Sequence, residues 1–156
     1  MTVKSRLLEL LEQHKGETLS GEDIGRELSC TRAAVWKAVN SLRQEGYPIE
    51  AGPNKGYMLA RESNLISAEG IRLFLKDPQV EIKIFDAISS TNLEARQLAV
   101  SGIAGHGSFV VAMEQTAGRG RRGREFYSPK GSGIYLSVIL EPKGTLEGSL
   151  LITTAA

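Results

Sequence analysis

Apolar residues recur at helical spacing in three series within the first 45 positions of the chain. Gly16 ends the first series, the capping residues Ser20 and Thr31 precede the second and third, and Gly46 follows the third. Apolar and polar residues then alternate on both sides of the turn-forming stretch 52–56, a pattern typical of a β-hairpin. The apolar positions of the three predicted helices are Val3, Leu7, Leu8, Leu10, Leu11, Ile24, Leu28, Val35, Ala38, Val39 and Leu42.

The order helix, helix, tight connection, helix and hairpin predicts a winged helix-turn-helix over residues 1–60. In this arrangement the third helix can enter a DNA major groove, and its early residues meet base edges. A three-helix protein-interaction module is the alternative, but the stretch 31–44 contains no acidic residue, and this favours DNA binding. We expect Trp36 to pack against the hairpin. The residues predicted to contact DNA are Thr31, Arg32, Ala33, Lys37 and, at the hairpin tip, Lys55.

A short polar stretch, residues 61–66, separates this module from a second one, residues 67–156. Helices and strands are mixed along the second module, so we expect an α/β domain of the α+β kind, with a sheet. The predicted elements are a helix capped by Ser67 and stopped by Asp77-Pro78, a strand at 80–84, a helix after Ser89-Ser90-Thr91-Asn92, and strands at 109–112 and 134–140.

The composition is that of a globular protein: 24% of the 156 residues are charged, 41% are hydrophobic and the formal net charge is +1. It excludes a disordered tail or a fibrous repeat. Apolar runs are too short to span a bilayer, and no signal-peptide core follows Met1. A single cysteine cannot form a disulfide framework, so we expect a cytoplasmic location. His14 and His106 have no partner at ligand spacing, and no metal site is predicted.

Basic charge is concentrated in the stretch 115–124, where four arginines fall within six positions. Glycines at 118, 120 and 123 allow backbone N–H groups to approach a ligand, and each guanidinium offers a planar fork to carboxylate or phosphate oxygens. Mutual repulsion predicts that the loop is mobile when empty. The pattern suits chemistry with several anionic oxygens, such as carboxylate attack on the α-phosphate of ATP, but the loop alone does not decide for it. A solvated basic loop, a nonspecific RNA contact and a processing site remain alternatives. The four arginines are Arg119, Arg121, Arg122 and Arg124.

The segment Ser90-Thr91-Asn92 has two interpretations. Thr91, followed three residues later by Glu94, forms the pattern of a capping box, and that structural role would explain the segment. In the functional interpretation, its hydroxyl and amide groups bind the polar edge of a ligand.

Taken together, these motifs resemble the family of bifunctional biotin protein ligases and biotin operon repressors. The resemblance covers essentially the whole chain and implies a winged helix-turn-helix followed by part of a biotin/lipoate-ligase-like mixed-sheet domain. It is carried by the winged helix-turn-helix, Ser90-Thr91-Asn92, the stretch from Gln115 to Arg124, Tyr127-Ser128-Pro129 and residues 131–137.

The resemblance assigns roles to three groups of residues. Those implied to hydrogen-bond the ureido ring of biotin are Ser90, Thr91, Asn92 and Gln115. Those implied to close over the biotin carboxylate and the adenylate phosphate, with the two arginines acting electrostatically in catalysis, are Gly118, Arg119, Gly120 and Arg121. Those implied to meet the nucleotide are Arg121, Arg122, Arg124 and, where the family usually has tryptophan, Phe126.

The implied reaction has two steps. The carboxylate of biotin attacks ATP, which brings Mg²⁺, and gives biotinyl-5′-AMP and pyrophosphate. A lysine of the biotin carboxyl carrier domain of a carboxylase then takes the biotinyl group. Biotinyl-adenylate is implied to favour a homodimer that places two winged helices on palindromic operator DNA. No membrane partner is implied.

The family's Lys-Trp-Pro-Asn-Asp segment and its small C-terminal β-domain have no counterpart in this sequence. The resemblance therefore identifies the chain as an N-terminal fragment, with a further helix beginning at residues 146–156, that cannot complete ligation alone. Three other functions stay open: a repressor or ligand sensor without ligase activity, a lipoate-type ligase, and a generic ligand-responsive transcription factor.

Overall fold

The computed structural model describes residues 2–52, 56–77, 79–120 and 124–141. The chain divides into two compact units, residues 1–78 and residues 79–156. Four sequence predictions lie outside the described residues: the roles of Lys55, Arg121 and Arg122, and the helix at 146–156.

The first unit contains three helices, a hairpin and a short fourth helix. In chain order they are α1 (Val3–Gln13), α2 (Gly21–Glu27), α3 (Arg32–Gln44), β1 (Ile49–Gly52), β2 (Gly56–Leu59) and α4 (Ala68–Arg72). The predicted caps are confirmed, because the Ser20 hydroxyl accepts the Asp23 backbone N–H at 3.0 Å and the Thr31 hydroxyl accepts that of Ala34 at 3.2 Å. Each cap is worth about 1 kcal/mol.

The core of this unit is formed by the apolar stripes of the three helices together with one residue from each hairpin strand. Leu7, Leu11, Val35 and Val39 are completely buried, as predicted from their spacing. The remaining buried members of the cluster are Leu8, Leu10, Ile24, Leu28, Ala38, Leu42, Ile49 and Leu59.

Hydrogen bonds attach the hairpin to the helical part of the unit, among them the backbone bond of 2.9 Å from Gly16 N–H to the Leu59 carbonyl. Leu19 and Tyr57 exchange backbone hydrogen bonds of 2.9 and 2.8 Å, so the segment before α2 pairs with β2. The guanidinium of Arg43, on α3, donates through Nε and Nη2 to the carbonyl oxygen of Ile49 at 2.8 and 2.6 Å. These contacts fix the hairpin beside α3.

Helix α4 is shorter than predicted, and it packs against α1 in the first unit, whereas the sequence analysis assigned it to the second module. The Ser67 hydroxyl caps Gly70 and donates to the carboxylate of Glu12 at 3.2 Å. After Arg72 the backbone bonds shorten to i→i+3, and Phe74 is 89% exposed. The predicted continuation buries too little apolar surface to sustain another helical turn.

The second unit contains a mixed sheet and one helix among its described residues. The elements are β3 (Ile82–Phe85), α5 (Thr91–Val100), β4 (Phe109–Ala112) and β5 (Tyr135–Val138). Strand β4 lies between β3, its parallel partner, and β5, its antiparallel partner. Helix α5 packs on β4 and β5. The α+β class and the mixed sheet are confirmed. In the part of the chain that the structure describes, no helix is long and apolar enough to cross a membrane.

Candidate functional site

The arginine-rich stretch forms two paired arms that follow β4. Gln115 donates its backbone N–H to the carbonyl of Ser128 at 3.0 Å, and Phe126 donates to Gly118 at 2.9 Å. Gly120 donates to the carbonyl of Arg124 at 2.7 Å. Residues 115–120 therefore run antiparallel to residues 124–128. The charge pattern predicted a mobile loop, but it gave no indication of this backbone pairing, which orders the two arms.

Gly118 lies at a point where the two arms leave no room for a side chain. A Cβ atom built on Gly118 would collide with the carbonyl oxygen of Phe126 and would lie 2.7 Å from the hydroxyl oxygen of Ser128. A backbone carbonyl cannot rotate away as a flexible side chain can. Glycine is thus required here by the packing of the arms, whether or not a ligand is bound.

The capping box predicted at the start of α5 is wrong. Ser90 occupies the N-cap position without a side-chain cap bond, and Thr91 is the first helical residue. The cap comes instead from Gln115, whose Oε1 accepts the Thr91 backbone N–H at 2.8 Å and the Thr91 hydroxyl at 3.1 Å. The structure therefore joins two residues that the sequence analysis had assigned to one ligand site.

A chain of hydrogen bonds extends from this cap in both directions. The Ser137 hydroxyl, on β5, donates to Thr91 Oγ1 at 2.9 Å. Gln115 Nε2 donates to the Ser128 hydroxyl at 3.1 Å, and Ser128 donates to the Phe126 carbonyl at 3.0 Å. Thr91 and Ser128 are 4% and 2% exposed. The chain, which we call the Thr91–Gln115–Ser128 relay, links α5, β5 and both arms.

Sequence reasoning missed Ser128 and Ser137 as members of this site. Both are small polar residues beside apolar ones, a signal that predicts a buried hydrogen bond without naming the partner. Asn92 is exposed on α5 and Ser90 is buried, and neither takes part in the hydrogen bonds of the relay, so Thr91 is the residue of this motif that the structure joins to Gln115.

Cationic and apolar side chains stand around an open cleft of about 990 Å³ between the arms. Arg119 of the first arm and Arg124 and Phe126 of the second line it and are exposed, and Gly120 follows Arg119 on the first arm and is half-buried. Among the described residues, no carboxylate lies within 4.0 Å of either guanidinium, although Glu125 faces Arg119 across the arms. Both arginines are therefore available to an anionic ligand.

A second surface is formed by the outer face of α3. Thr31, Arg32, Ala33 and Lys37 are all exposed there, as a DNA-reading face requires. The prediction that Trp36 packs against the hairpin is wrong, because 61% of its surface is exposed. It lines a groove of about 500 Å³ between α3 and the hairpin, whose other walls are formed by Arg32, Asn40, Arg43 and Tyr57 among others.

Two family models match the chain, one within residues 1–78 and the other within residues 79–156. Residues 3–58 match the profile of a helix-turn-helix domain, and residues 84–154 match that of the biotin/lipoate A/B protein ligase family. A stretch that matches helix-turn-helix domains is thus followed in this chain by a segment that matches the biotin/lipoate ligase family. The ligase segment begins within β3 and contains every residue of the Thr91–Gln115–Ser128 relay.

Individual relatives match most of the chain. The chain is 41% identical to the bifunctional ligase/repressor BirA of Bacillus spizizenii over 99% of its own length and 48% of that protein. It is 38% identical to the protein of the same name from Escherichia coli over 88% of its own length and 41% of that protein. The predicted resemblance is confirmed. The chain spans about half the length of these curated relatives.

A solved structure is also similar to part of the chain. It is the biotin acetyl coenzyme A carboxylase synthetase of Helicobacter pylori with bound biotinylated ATP. The identity is 24%, the match covers 47% of this chain and 37% of that one, and the TM-score is 0.40.

Proposed function

We propose that the protein carrying this chain is a biotin–protein ligase and a biotin-responsive transcriptional repressor. It forms biotinyl-5′-AMP from biotin and ATP and transfers biotin to a lysine of the biotin carboxyl carrier domain of a carboxylase. The observation that carries the proposal is the relay of Thr91, Gln115 and Ser128 beside a cleft lined by two exposed arginines. The likeness to bifunctional ligase/repressors supports it.

The polar groups of the relay suit a cyclic urea. A ureido ring presents one carbonyl acceptor and two N–H donors. Gln115 Nε2 donates one hydrogen to Ser128 and retains a second, while Ser137 donates its hydroxyl proton to Thr91 and retains acceptor capacity. Ser90, Thr91, Asn92 and Gln115 are the residues that we propose to bind this ring.

The positive charge of the arginines matches the negative charge of the biotin carboxylate and of the ATP phosphate that it attacks. Gly118, Arg119, Gly120 and Arg121 would surround the reacting carboxylate, and Arg119 and Arg121 would stabilise the charge that builds up as it attacks ATP. Removing one preorganised donor of this kind costs on the order of a hundredfold in rate.

The remaining nucleotide contacts are proposed for residues 122–126. Arg122 and Arg124 would meet phosphate oxygens, and Phe126, 55% exposed, would cover the adenylate with its apolar ring. Mg²⁺ would enter with ATP.

The repressor role rests on the exposed face of α3. We propose that Thr31, Arg32, Ala33 and Lys37 contact operator DNA in the major groove and that Lys55 contacts a phosphate. Biotinyl-adenylate would favour a homodimer that presents two such helices to one palindromic operator, in the cytoplasm where carrier domains are biotinylated.

The test uses the protein expressed from its complete reading frame. It is incubated with biotin, Mg-ATP and an unmodified carrier domain, and the intact mass of the carrier is measured. We expect a gain of one biotinyl group, and an Arg119→Ala variant is expected to be slower by about a hundredfold or more. Arg96→Ala is the matched control, because Arg96 is exposed on α5 and lies away from the cleft.

Two outcomes would contradict the ligase. An unmodified carrier, beside a known ligase that modifies it, would leave a repressor or sensor without ligase activity. A carrier that gains a lipoyl or octanoyl group in preference to biotin would identify a lipoate-type ligase.

A further inference from the structure

Ser128 occupies an unusual place in the second unit. Its side chain is enclosed, with 2% of the residue exposed, and its oxygen lies so near Gly118 that a Cβ atom there would approach it to 2.7 Å. We propose that Ser128 is a positioning residue that holds the Gln115 side-chain amide in one orientation and thereby sets the polarity of the biotin site. The inference rests on the proposed function of that site.

The direction of each hydrogen bond in the relay follows from one group that can only donate. The backbone N–H of Thr91 faces Gln115 at 2.8 Å, so the atom that meets it is the carbonyl oxygen Oε1. The amide nitrogen then faces Ser128, whose hydroxyl accepts at 3.1 Å. The hydroxyl proton of Ser128 is free to go to the Phe126 carbonyl, 3.0 Å away. Each hydrogen bond from Thr91 through Gln115 and Ser128 to the Phe126 carbonyl therefore has one direction.

This order leaves Gln115 with one way to meet a ligand. Its Oε1 already accepts two hydrogen bonds, both from Thr91, which match its two lone pairs. The second hydrogen on Nε2 is the capacity that remains. Gln115 would consequently donate to the ureido carbonyl and would not accept from a ureido N–H.

Ser128 is needed to orient Gln115, because the torsional preference of a glutamine side chain does not by itself fix the orientation of the terminal amide. The terminal torsion of glutamine is broad and roughly two-fold. Thr91 restrains the oxygen end of the amide, and Ser128 restrains the nitrogen end. Without the Ser128 hydroxyl, the amide plane can turn about the Thr91 contact, and the hydrogen aimed at the ligand turns with it.

A double-mutant cycle on the protein from its complete reading frame tests the functional consequence. Biotin affinity is measured by calorimetry for Ser128→Ala, Gln115→Ala and the double variant. We expect Ser128→Ala to weaken biotin binding by about tenfold, equivalent to about one hydrogen bond, and to leave ATP affinity unchanged. In the Gln115→Ala background the same change is expected to have no further effect. Equal weakening in both backgrounds would overturn the inference.

Two further variants separate positioning from a general structural effect. Ser132→Ala removes a hydroxyl from the same stretch, bonded to Pro129 and Tyr135 and not to Gln115, and is expected to bind biotin normally. Ser128→Cys retains a weaker donor and acceptor, so its affinity is expected to fall between those of the unaltered protein and Ser128→Ala.

A second measurement tests the orientation without any ligand. The side-chain amide proton signals of Gln115, assigned by their loss in Gln115→Ala, are expected to shift in Ser128→Ala and not in Ser132→Ala. Signals that stay in place would overturn the inference. If they shift but the unaltered protein does not bind biotin, the positioning of Gln115 by Ser128 is supported and the proposed function is the part that fails.

Discussion

Replacing Gly118 by alanine is expected to destabilise the second unit by about 2 kcal/mol, within the usual range for overpacking a buried position. The added methyl group would collide with the Phe126 carbonyl and would lie 2.7 Å from the Ser128 hydroxyl oxygen. Relief requires the arms to separate, which strains the 2.9 Å hydrogen bond between Phe126 N–H and the Gly118 carbonyl. That movement also pulls Ser128 away from Gln115.

The measurement is denaturant-induced unfolding, followed by a probe placed in the second unit. Gly105→Ala is the matched control, because its Cβ would meet nothing nearer than a Glu141 carboxylate oxygen at 3.6 Å. This control is expected to be neutral or slightly stabilising, since alanine reduces the entropy of the unfolded chain. Equal unfolding midpoints for the two variants would refute the assignment of Gly118 to the packing of the arms.

Three further predictions concern the first unit. Arg43→Ala is expected to lower the free energy of unfolding of this unit by about 1–2 kcal/mol, because it removes the two hydrogen bonds to the Ile49 carbonyl. Lys37→Ala is expected to leave that free energy unchanged and to weaken DNA binding. Chemical denaturation and DNA titration of both variants test this, and equal effects of the two changes in both measurements would contradict it. Trp36 is the sole tryptophan and is exposed, so its fluorescence is expected to be that of an indole in water. Duplex DNA is expected to shield it from a soluble quencher, and unchanged quenching in a DNA complex would contradict this. Burial, followed by the charge of Glu69, raises the pKa of Tyr47 above its ordinary value of 10.0, so its contribution to stability is fully present below that pH and is lost as the pH rises through the folded-state pKa. Unfolding measured between about pH 9 and about pH 11 should show a decline that Tyr47→Phe reduces.

Features that depend on neighbours within one helical turn were readable from the sequence. Ser20 and Thr31 cap helices because each hydroxyl reaches a backbone N–H three residues ahead, and the buried faces of α1 and α3 follow from the 3.6-residue period. The hairpin at residues 49–59 was equally local. The resemblance to the ligase family, and no local pattern, placed Thr91 and Gln115 in one candidate site, without their geometry.

Features that depend on residues far apart in the sequence could not be predicted from it. The spacing of Thr91 and Glu94 is that of a capping box, one of the two interpretations of this segment, yet the Thr91 backbone N–H is bound by Gln115, 24 residues away. The exposure of Trp36 and the early end of α4 likewise depend on how much apolar surface the neighbouring elements leave for them.

Residue types and their spacing were enough to predict the order of the elements, the faces that the helices of the first unit bury, the α+β class and the positions of the motifs. Only the folded chain shows that Gly118 lies between two paired arms, that Gln115 caps α5 and that Ser128 and Ser137 complete a single relay. The reason is physical. Periodicity and caps are set by backbone geometry over three or four residues, whereas the direction of a buried hydrogen-bond chain is set by which donors and acceptors the sheet register brings together.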